Sequence, residues 1–231
     1  MKIVVINGTE IKGCTYNIKE IFLEQLREKN EVTEFYLPKD CPYFCCGCKN
    51  CFLKGEEHCP HADHTIPIWN AMMDADLLVF AYPVYALRTT GQIKALLDHY
   101  CCHWMVHRPE KQMFKKRAVI LTQSAGAPNG AAQKEVATSL NWWGISDVKK
   151  LGFQLMSSII WDEIPQKKRE RMEGKIRKMA RKYEKPRVGK RSLKIKLFFG
   201  AARFLHQNGV KSAKTISLDD QHWLSNGWIT R

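Results

Sequence analysis

The sequence lacks three features that would place it in other classes of protein. Its 231 residues contain no run of about 18 apolar residues, which a membrane-spanning helix requires. Met1 leads directly into KIVVING without a stretch typical of a signal peptide, so we expect a cytoplasmic protein. Neither a Walker A loop nor G-x-G-x-x-G occurs, so a bound triphosphate or a Rossmann-bound dinucleotide is not indicated.

Acidic residues are scarce in the last part of the chain. The net charge is +14, and residues 1–165 carry 18 Lys and Arg against 18 Asp and Glu, whereas residues 166–231 carry 19 against 5. We therefore predict two parts: a neutral globular domain at 1–165, large enough to bury one α/β core, and a basic extension at 166–231.

Apolar runs alternate with helical patterns through the first 165 residues, which is typical of βα units around a parallel sheet. The predicted strands are KIVVING (2–8), FYLP (35–38), DLLVFAYP (76–83), RAVILTQ (117–123) and VKKLGFQL (148–155). Between them we predict helices over 17–29, around 66–72, over 90–101 and over 129–143. The pattern predicts a flavodoxin-like, three-layer, doubly wound sheet of order 2-1-3-4-5 with the third strand at its centre.

Three loops follow the strands that border the ligand position in this topology. The loop from Gly8 to Tyr16 offers backbone amides, threonine hydroxyls and a helix N-terminus, which suit a phosphate. The loop after the third strand turns at Pro83 and presents the ring of Tyr85, which suits a flat ligand such as an isoalloxazine. The loop 122–130 is small and contains glycine, so a ligand can approach its backbone closely. Each loop is ordinary alone, but their joint placement predicts one site.

Four of the nine cysteines form the pattern C-x2-C-x2-C-x7-C: Cys45, Cys48, Cys51 and Cys59. This spacing lets three thiolates converge on a metal or an iron-sulfur cluster from one loop. Two alternatives stay open: structural thiols, or a zinc site that also uses His58, His61 and His64. The run Cys101-Cys102-His103-Trp104 is interpreted as packing, because adjacency in sequence is not the geometry of a Cys–His catalytic pair.

Four segments resemble the flavodoxin-like NADPH-dependent FMN reductases, including the iron-sulfur flavoproteins of that family. They are the loop at 8–15, the cysteine segment at 45–63, P-V-Y with G-Q-x-K-x-x-x-D at 83–98, and the loop after the fourth strand. The resemblance covers about residues 1–160. Two positions depart from it, because the family often has Arg or Lys at Ile11 and Asn-Thr at Thr15–Tyr16. Contacts with the phosphate would therefore depend more on backbone amides.

The resemblance implies an FMN cofactor, NAD(P)H as electron donor, a homodimer and a 4Fe-4S cluster on the four cysteines named above. It places Thr9, Gly13, Cys14, Thr15 and Tyr16 around the FMN phosphate. It places Pro83, Val84, Tyr85 and Ala86 along the flavin ring, with Thr122, Ser124, Ala125 and Gly126 on the other side. Tyr85 is predicted to contact the ring, and no further catalytic side chain is expected because the reactive atoms belong to the flavin.

The extension is predicted to contain the last core helix (166–183), a linker (184–192), a helix (193–205) and an aromatic tail (217–229). We favour docking on the core or on a second subunit through Phe198, Phe199, Trp223 and Trp228, because large aromatics are costly to expose. Contact of the basic helix with an anionic membrane surface is an alternative. No nucleic-acid-binding motif occurs, so nucleic acid is not the expected partner.

These patterns together predict an FMN-dependent oxidoreductase. It would take hydride from NAD(P)H and reduce a flavin, a quinone-like molecule or a redox protein. The alternative is a non-catalytic electron carrier with the same cofactors.

Overall fold

The computed structural model describes residues 1–156, 160–213 and 215–231, and its centre is a five-stranded parallel sheet. The strands are β1 (Lys2–Asn7), β2 (Glu31–Tyr36), β3 (Leu77–Pro83), β4 (Arg117–Ser124) and β5 (Asp147–Gln154). Their order is β2-β1-β3-β4-β5, so the predicted flavodoxin-like topology is confirmed, with β3 at the centre.

Helices cover both faces of this sheet. The α-helices within the described residues are α1 (Cys14–Arg27), α2 (Asn50–Leu53), α3 (Ala62–Asp74), α4 (Gly91–His99), α5 (Gly130–Trp142), α6 (Gln166–Ala180), α7 (Leu193–Ser212) and α8 (Leu218–Ser225). Buried residues of α3, α4 and α5 pack on one face, and those of α1 and α6 pack on the other. The result is the predicted three-layer arrangement.

Alternation along β3 explains why its sequence is continuously apolar. Leu78, Phe80 and Tyr82 enter the core beneath α3–α5, whereas Leu77 and Val79 enter the core beneath α1 and α6. A strand covered on both faces has no solvent side, so every position favours an apolar residue. Each such fully buried large side chain contributes roughly 1.5–3 kcal/mol.

The bounds of several elements differ from the sequence prediction. β2 begins at Glu31 rather than in FYLP. The sequence prediction missed its first residues because β2 is an edge strand, whose exposed residues give a weak apolar signal. α1 begins at Cys14 rather than at residue 17, which places residues 14–16 in its first turn. α7 continues to Ser212, well past the predicted end at 205.

The C-terminal segment packs on the rest of the chain. α6 lies against α1, and Trp223 of α8 is fully buried and donates its indole N–H to the carbonyl of His107 at 2.7 Å. Phe199 of α7 contacts the rings of Trp223 and Trp228 at centroid distances of 5.0 and 5.1 Å. Three of the four predicted aromatic anchors thus meet in one cluster, while the boundary near residue 165 stays a prediction.

Candidate functional site

The loop after β1 is fixed by a close approach at its first residue. A Cβ on Gly8 would lie 2.5 Å from Tyr82 Cβ and 2.9 Å from Thr90 Oγ1, so only glycine fits between β3 and the start of α4. The Gly8 amide donates to Ala81 O at 2.8 Å, and Thr9 Oγ1 accepts from the Ile11 amide at 3.2 Å. The chain therefore leaves the sheet in a defined direction before α1 begins.

The N-terminus of α1 has the properties of an anion site. Among the described residues, no side chain caps this helix at Gly13, and no acidic residue lies in its first turn. The first-turn amides and the helix dipole therefore favour a phosphate there. Cys14 and Thr15 are buried at this end, whereas Thr9, Gly13 and Tyr16 are partly exposed.

The basic residues near this loop lie around the ring of Tyr16. Lys12 Nζ is 5.5 Å from the ring centroid and Lys19 Nζ is 4.4 Å from it. Lys19 is fully buried and pairs with Glu34 at 2.6 Å. Burial by itself would lower the pKa of Lys19, but its bonds to Glu20 and Glu34 outweigh burial and raise that pKa. The charge of Lys19 is thus neutralised internally, whereas Lys12 of the loop itself stays exposed.

The loop after β3 forms a tight hairpin. Tyr85 and Arg88 exchange two backbone hydrogen bonds of 3.1 and 2.9 Å, and the two residues between them, Ala86 and Leu87, have φ of +47° and +65°. Left-handed conformations cost a non-glycine residue roughly 1–2 kcal/mol each, so they mark a turn that the surrounding structure enforces. The Tyr85 side chain is 47% exposed at this turn.

Glu135 of α5 anchors this hairpin from the neighbouring helix. Its carboxylate accepts from the Thr89 amide at 2.8 Å and lies 3.2 Å from Arg88 Nε. The Val84 amide in turn donates to Gln123 O of β4 at 2.8 Å. The exposed ring of Tyr85 is therefore presented from a turn that is held at both ends.

The loop after β4 combines an exposed tip with a buried base. Ala125 and Gly126 are exposed, whereas Ser124 is buried and donates its hydroxyl to Ala127 O. Asn129 donates to Ser124 Oγ at 3.2 Å, and its buried Oδ1 has no hydrogen-bond partner within the described part of the chain. A buried acceptor without a donor costs roughly 1–3 kcal/mol, so it is suited to a ligand donor.

These loops meet at the carboxyl edge of β1, β3 and β4, as the sequence predicts. Thr122 lies deeper than the others, since its side chain is fully buried and its Oγ1 accepts from Gln133 at 2.8 Å. Thr122 can therefore support the loop after β4 from the buried side. Pro83 and Val84 are half-buried at the start of the hairpin.

The four-cysteine motif lies in the segment between β2 and α3. Two left-handed residues, Gly47 and Lys49, with φ of +68° and +62°, fold this segment back on itself. Cys45 and Cys48 are exposed, and Cys51 and Cys59 are half-buried. The turn-rich path brings residues from both sides of α2 to one place.

A cavity of about 90 Å³ collects these thiols. Its lining includes all four motif cysteines and four further side chains able to bind metals: Cys46, Cys101, His61 and His99. Six thiols around one small cavity form a soft donor set, which suits an iron-sulfur cluster or zinc. The donors present therefore fit either group chemically.

Only one of the three histidines interleaved with the cysteines is among the lining residues. His58 is 50% exposed beside Glu57, and His64 contacts Asp40 O at 3.2 Å. His61 lies 3.0 Å from His99 Nε2, and Cys59, His61 and His99 have donor atoms within 4.8 Å of one another. A zinc site here would use His99, which the local spacing does not indicate.

Sequence reasoning missed the contribution of the segment after α4. Cys101 lines the cysteine cavity, and the thiol of the buried Cys102 donates to His99 O at 3.9 Å. The neighbouring Cys102 thiol, together with the charge of Arg108, lowers the pKa of Cys51 despite its burial. His103 behaves as packing, since it stacks on Trp69 at 3.8 Å. The pair Cys101–Cys102 after a helix was the sequence signal that could have indicated this contribution. Only the tertiary structure shows that the pair lies beside the cysteine cavity.

Arg108 connects this cysteine site to the C-terminal segment. Its buried guanidinium donates to Cys51 O, to Glu56 Oε1 at 3.0 and 3.2 Å, and to Asp219 of α8. The carboxylate of Asp219 also lies 2.8 Å from Nδ1 of His107, within hydrogen-bond distance. One buried cation thus joins the cysteine segment, the 107–108 segment and α8.

The fold is that of the flavodoxin-like proteins, in which the loops at the carboxyl edge of the sheet bind the ligand. The family model for NADPH-dependent FMN reductases matches residues 1–157, and the chain belongs to that family. It is accordingly an NAD(P)H-dependent oxidoreductase with FMN as cofactor.

Curated relatives are named for a second redox group. An iron-sulfur flavoprotein of Archaeoglobus fulgidus is 28% identical over 170 residues, covering 71% of this chain and 73% of the relative. An iron-sulfur flavoprotein of Methanocaldococcus jannaschii is 27% identical over 153 residues, covering 66% of this chain and 75% of the relative.

Solved structures agree in fold at low identity. An FMN-dependent NADH-azoreductase from Bacillus anthracis in complex with FMN aligns with a TM-score of 0.61 and 13% identity, over 80% of this chain and 100% of that one. An NAD(P)H:quinone oxidoreductase from Methanothermobacter marburgensis aligns with a TM-score of 0.56 and 15% identity, over 80% and 96% of the two chains. At this identity the likeness concerns the fold.

Proposed function

We propose that the chain reduces a one-electron redox-protein acceptor at the expense of NAD(P)H, with FMN and a 4Fe-4S cluster as its redox groups. The observation that carries this proposal is the shared cavity of Cys45, Cys48, Cys51 and Cys59. The names of the curated relatives support it.

The residues that would hold FMN are those of the three loops. The first-turn amides of α1 at Cys14, Thr15 and Tyr16 would bind the phosphate, with Thr9 and Gly13 shaping the approach. The hairpin from Pro83 to Ala86 would contact one side of the ring system, and the loop at Ser124–Gly126 would close the other side. When bound, FMN supplies two-electron chemistry with the nicotinamide and one-electron chemistry with other partners.

The residues that would hold the cluster are the four motif cysteines. The neighbouring Cys102 thiol and the charge of Arg108 favour the thiolate form at Cys51, which is the form that binds iron. When bound, a 4Fe-4S cluster supplies one-electron transfer. A one-electron carrier protein is therefore the acceptor class that this donor set favours over a flavin or a quinone-like molecule.

The test is anaerobic purification followed by measurement of FMN, iron, sulfide and zinc per chain, and of the visible spectrum. We expect near-stoichiometric FMN and about four irons and four sulfides. FMN with zinc and no sulfide would refute the cluster while leaving the reductase intact. Flavin that ferredoxin reduces but neither NADPH nor NADH does would instead indicate a carrier.

Matched cysteine variants test the ligand assignment. Cys45→Ser should lose most of the iron and sulfide and retain FMN, whereas Cys46→Ser, one residue away and in the same cavity, should retain all three. The reverse pattern would exchange the two residues in the assignment.

Assembly as a homodimer and a cytoplasmic location are also part of the proposal. Light scattering tests the first, and fractionation of cells tests the second.

A further inference from the structure

α7 carries apolar residues on two opposite faces. Ile195, Ala202 and Val210 are buried against the rest of the chain. The opposite side exposes three large apolar side chains, which we name the α7 stripe: Leu193 at 74%, Leu197 at 64% and Phe204 at 67% exposure. Leu205 is also exposed, on the flank between the two faces. Intramolecular packing therefore accounts for only one of the two faces.

The α7 stripe is continuous along the helix. Leu193, Leu197 and Phe204 follow each other at spacings of four and seven residues, which places them on one line of an α-helix. Lys194, Lys196, Arg203 and Lys211 are all exposed along the same helix. An apolar line bordered by cations is the pattern of a helix that lies in a membrane interface.

The charge around the α7 stripe has one sign. α7 contains no acidic residue. The two nearest acids in sequence are engaged internally, because Asp219 pairs with Arg108 and Asp220 lies 2.7 Å from His206. Neither Asp219 nor Asp220 is thus left to offset the exposed cations of α7, and the surface favours an anionic partner.

We propose that the α7 stripe binds the surface of a membrane that contains anionic lipid. The apolar side chains would enter the interface while Lys194, Lys196, Arg203 and Lys211 contact lipid phosphates. A second copy of the chain is a poor occupant, because joining two stripes would also join two unbalanced basic surfaces. Among the described residues no helix, α7 included, is long and apolar enough to cross a membrane, so the contact lies along the surface.

Such contact would leave the flavin loops accessible. The Ser192 amide at the start of α7 donates to Ser146 Oγ at 2.9 Å, and the Gly189 amide before it donates to Lys115 O at 2.7 Å. Ser146 directly precedes β5, and Lys115 lies two residues before β4, so both are at the amino edge of the sheet. The flavin loops lie at the carboxyl edge, and an acceptor could reach them while α7 rests on lipid.

The test is co-sedimentation of the purified holoprotein with vesicles of phosphatidylcholine alone or with about 30 mol% phosphatidylglycerol. We expect binding to the anionic vesicles, little binding to the neutral ones, and loss of binding in high salt. The variant Leu197→Glu with Phe204→Glu should lower the partition coefficient by about tenfold or more. FMN content and circular dichroism should not change, because both side chains are largely exposed.

A control variant separates the α7 stripe from net charge. Lys175→Ala with Lys178→Ala lowers the net charge by the same amount as the double glutamate variant, at exposed positions of α6, and should retain most of the vesicle binding. Equal loss in both variants, or no binding to anionic vesicles by the wild-type protein, would overturn the proposal. A smaller assembly for the glutamate variant by light scattering, without vesicle binding by the wild type, would assign the stripe to a second copy instead.

Discussion

Removal of the Asp219 charge should weaken both the docking of α8 and the cysteine site. In Asp219→Asn the guanidinium of Arg108 keeps Glu56 and the Cys51 carbonyl but loses one of its two carboxylates. The side chain of Arg108 is only 8% exposed, so water replaces the lost partner poorly. The perturbation should therefore reach the cysteine segment through the shared cation.

The expected magnitude follows from the burial of the pair. Breaking a fully buried ion pair costs roughly 3–5 kcal/mol. Asp219 is 17% exposed and Glu56 still balances Arg108, so we expect a smaller loss than for a fully buried pair, about 2 kcal/mol of unfolding free energy. For a chain of this size that corresponds to a fall of Tm by roughly 4–8 °C.

The pH dependence gives a second readout. Burial would raise the pKa of Asp219, but hydrogen bonding by His107 and the charge of Arg108 outweigh it and lower that pKa. The stability that the Asp219–Arg108 pair contributes is therefore fully present above the unfolded-state pKa of Asp219, about 3.9. It is lost as the pH falls through the lower, folded-state pKa. The stability difference between wild type and Asp219→Asn should shrink in that acidic range.

The assay is urea unfolding across pH, together with iron and sulfide content after anaerobic reconstitution. Asp162→Asn is the matched control, because Asp162 is 91% exposed and its substitution should change stability by less than about 0.5 kcal/mol. We expect less iron in Asp219→Asn than in the control, with equal FMN. Equal stability and equal iron content in the two variants would refute the role given to this ion pair.

Three other substitutions probe the remaining parts of the site and the extension. Gly8→Ala should lower stability by about 1–3 kcal/mol and weaken FMN binding, because its Cβ would lie 2.5 Å from that of Tyr82; denaturant unfolding and flavin titration measure both effects. Trp223→Ala should cost roughly 3–5 kcal/mol, and an unchanged Tm would mean that α8 does not support the core. Glu135→Ala removes the acceptor of the Thr89 amide and should raise the FMN dissociation constant by about tenfold with little loss of Tm; unchanged affinity would show that the hairpin needs no such anchor.

The sheet was predictable because its signal is local. Parallel strands covered on both faces need apolar residues at every position, and DLLVFAYP therefore appears in the sequence as the central strand. The edge strand β2 was misplaced by several residues, since Glu31 and Thr33 are exposed, none of its residues is fully buried and its pattern is polar. Burial on both faces of the central strands is thus what made the strand order predictable.

The candidate flavin site was predictable as a set of loops but not in its internal geometry. Topology requires the ends of β1, β3 and β4 to lie together, so the relevant segments follow from the strand order. The left-handed turn at Ala86–Leu87 does not follow from the sequence, because neither residue favours positive φ. Tertiary contacts, including Glu135 of α5, enforce a conformation that the local sequence opposes.

The sequence by itself determined the fold class, the family, the convergence of three loops and the presence of four cysteines at cluster spacing. Only the tertiary structure decided that Cys101 and His99 share the cysteine cavity, that Arg108 ties this cavity to α8, and that α7 keeps an apolar face uncovered. The physical reason is distance along the chain. Hydrophobic periodicity and motif spacing report contacts among near neighbours, whereas these contacts join residues separated by 38 to 112 positions along the chain, and tertiary packing selects them.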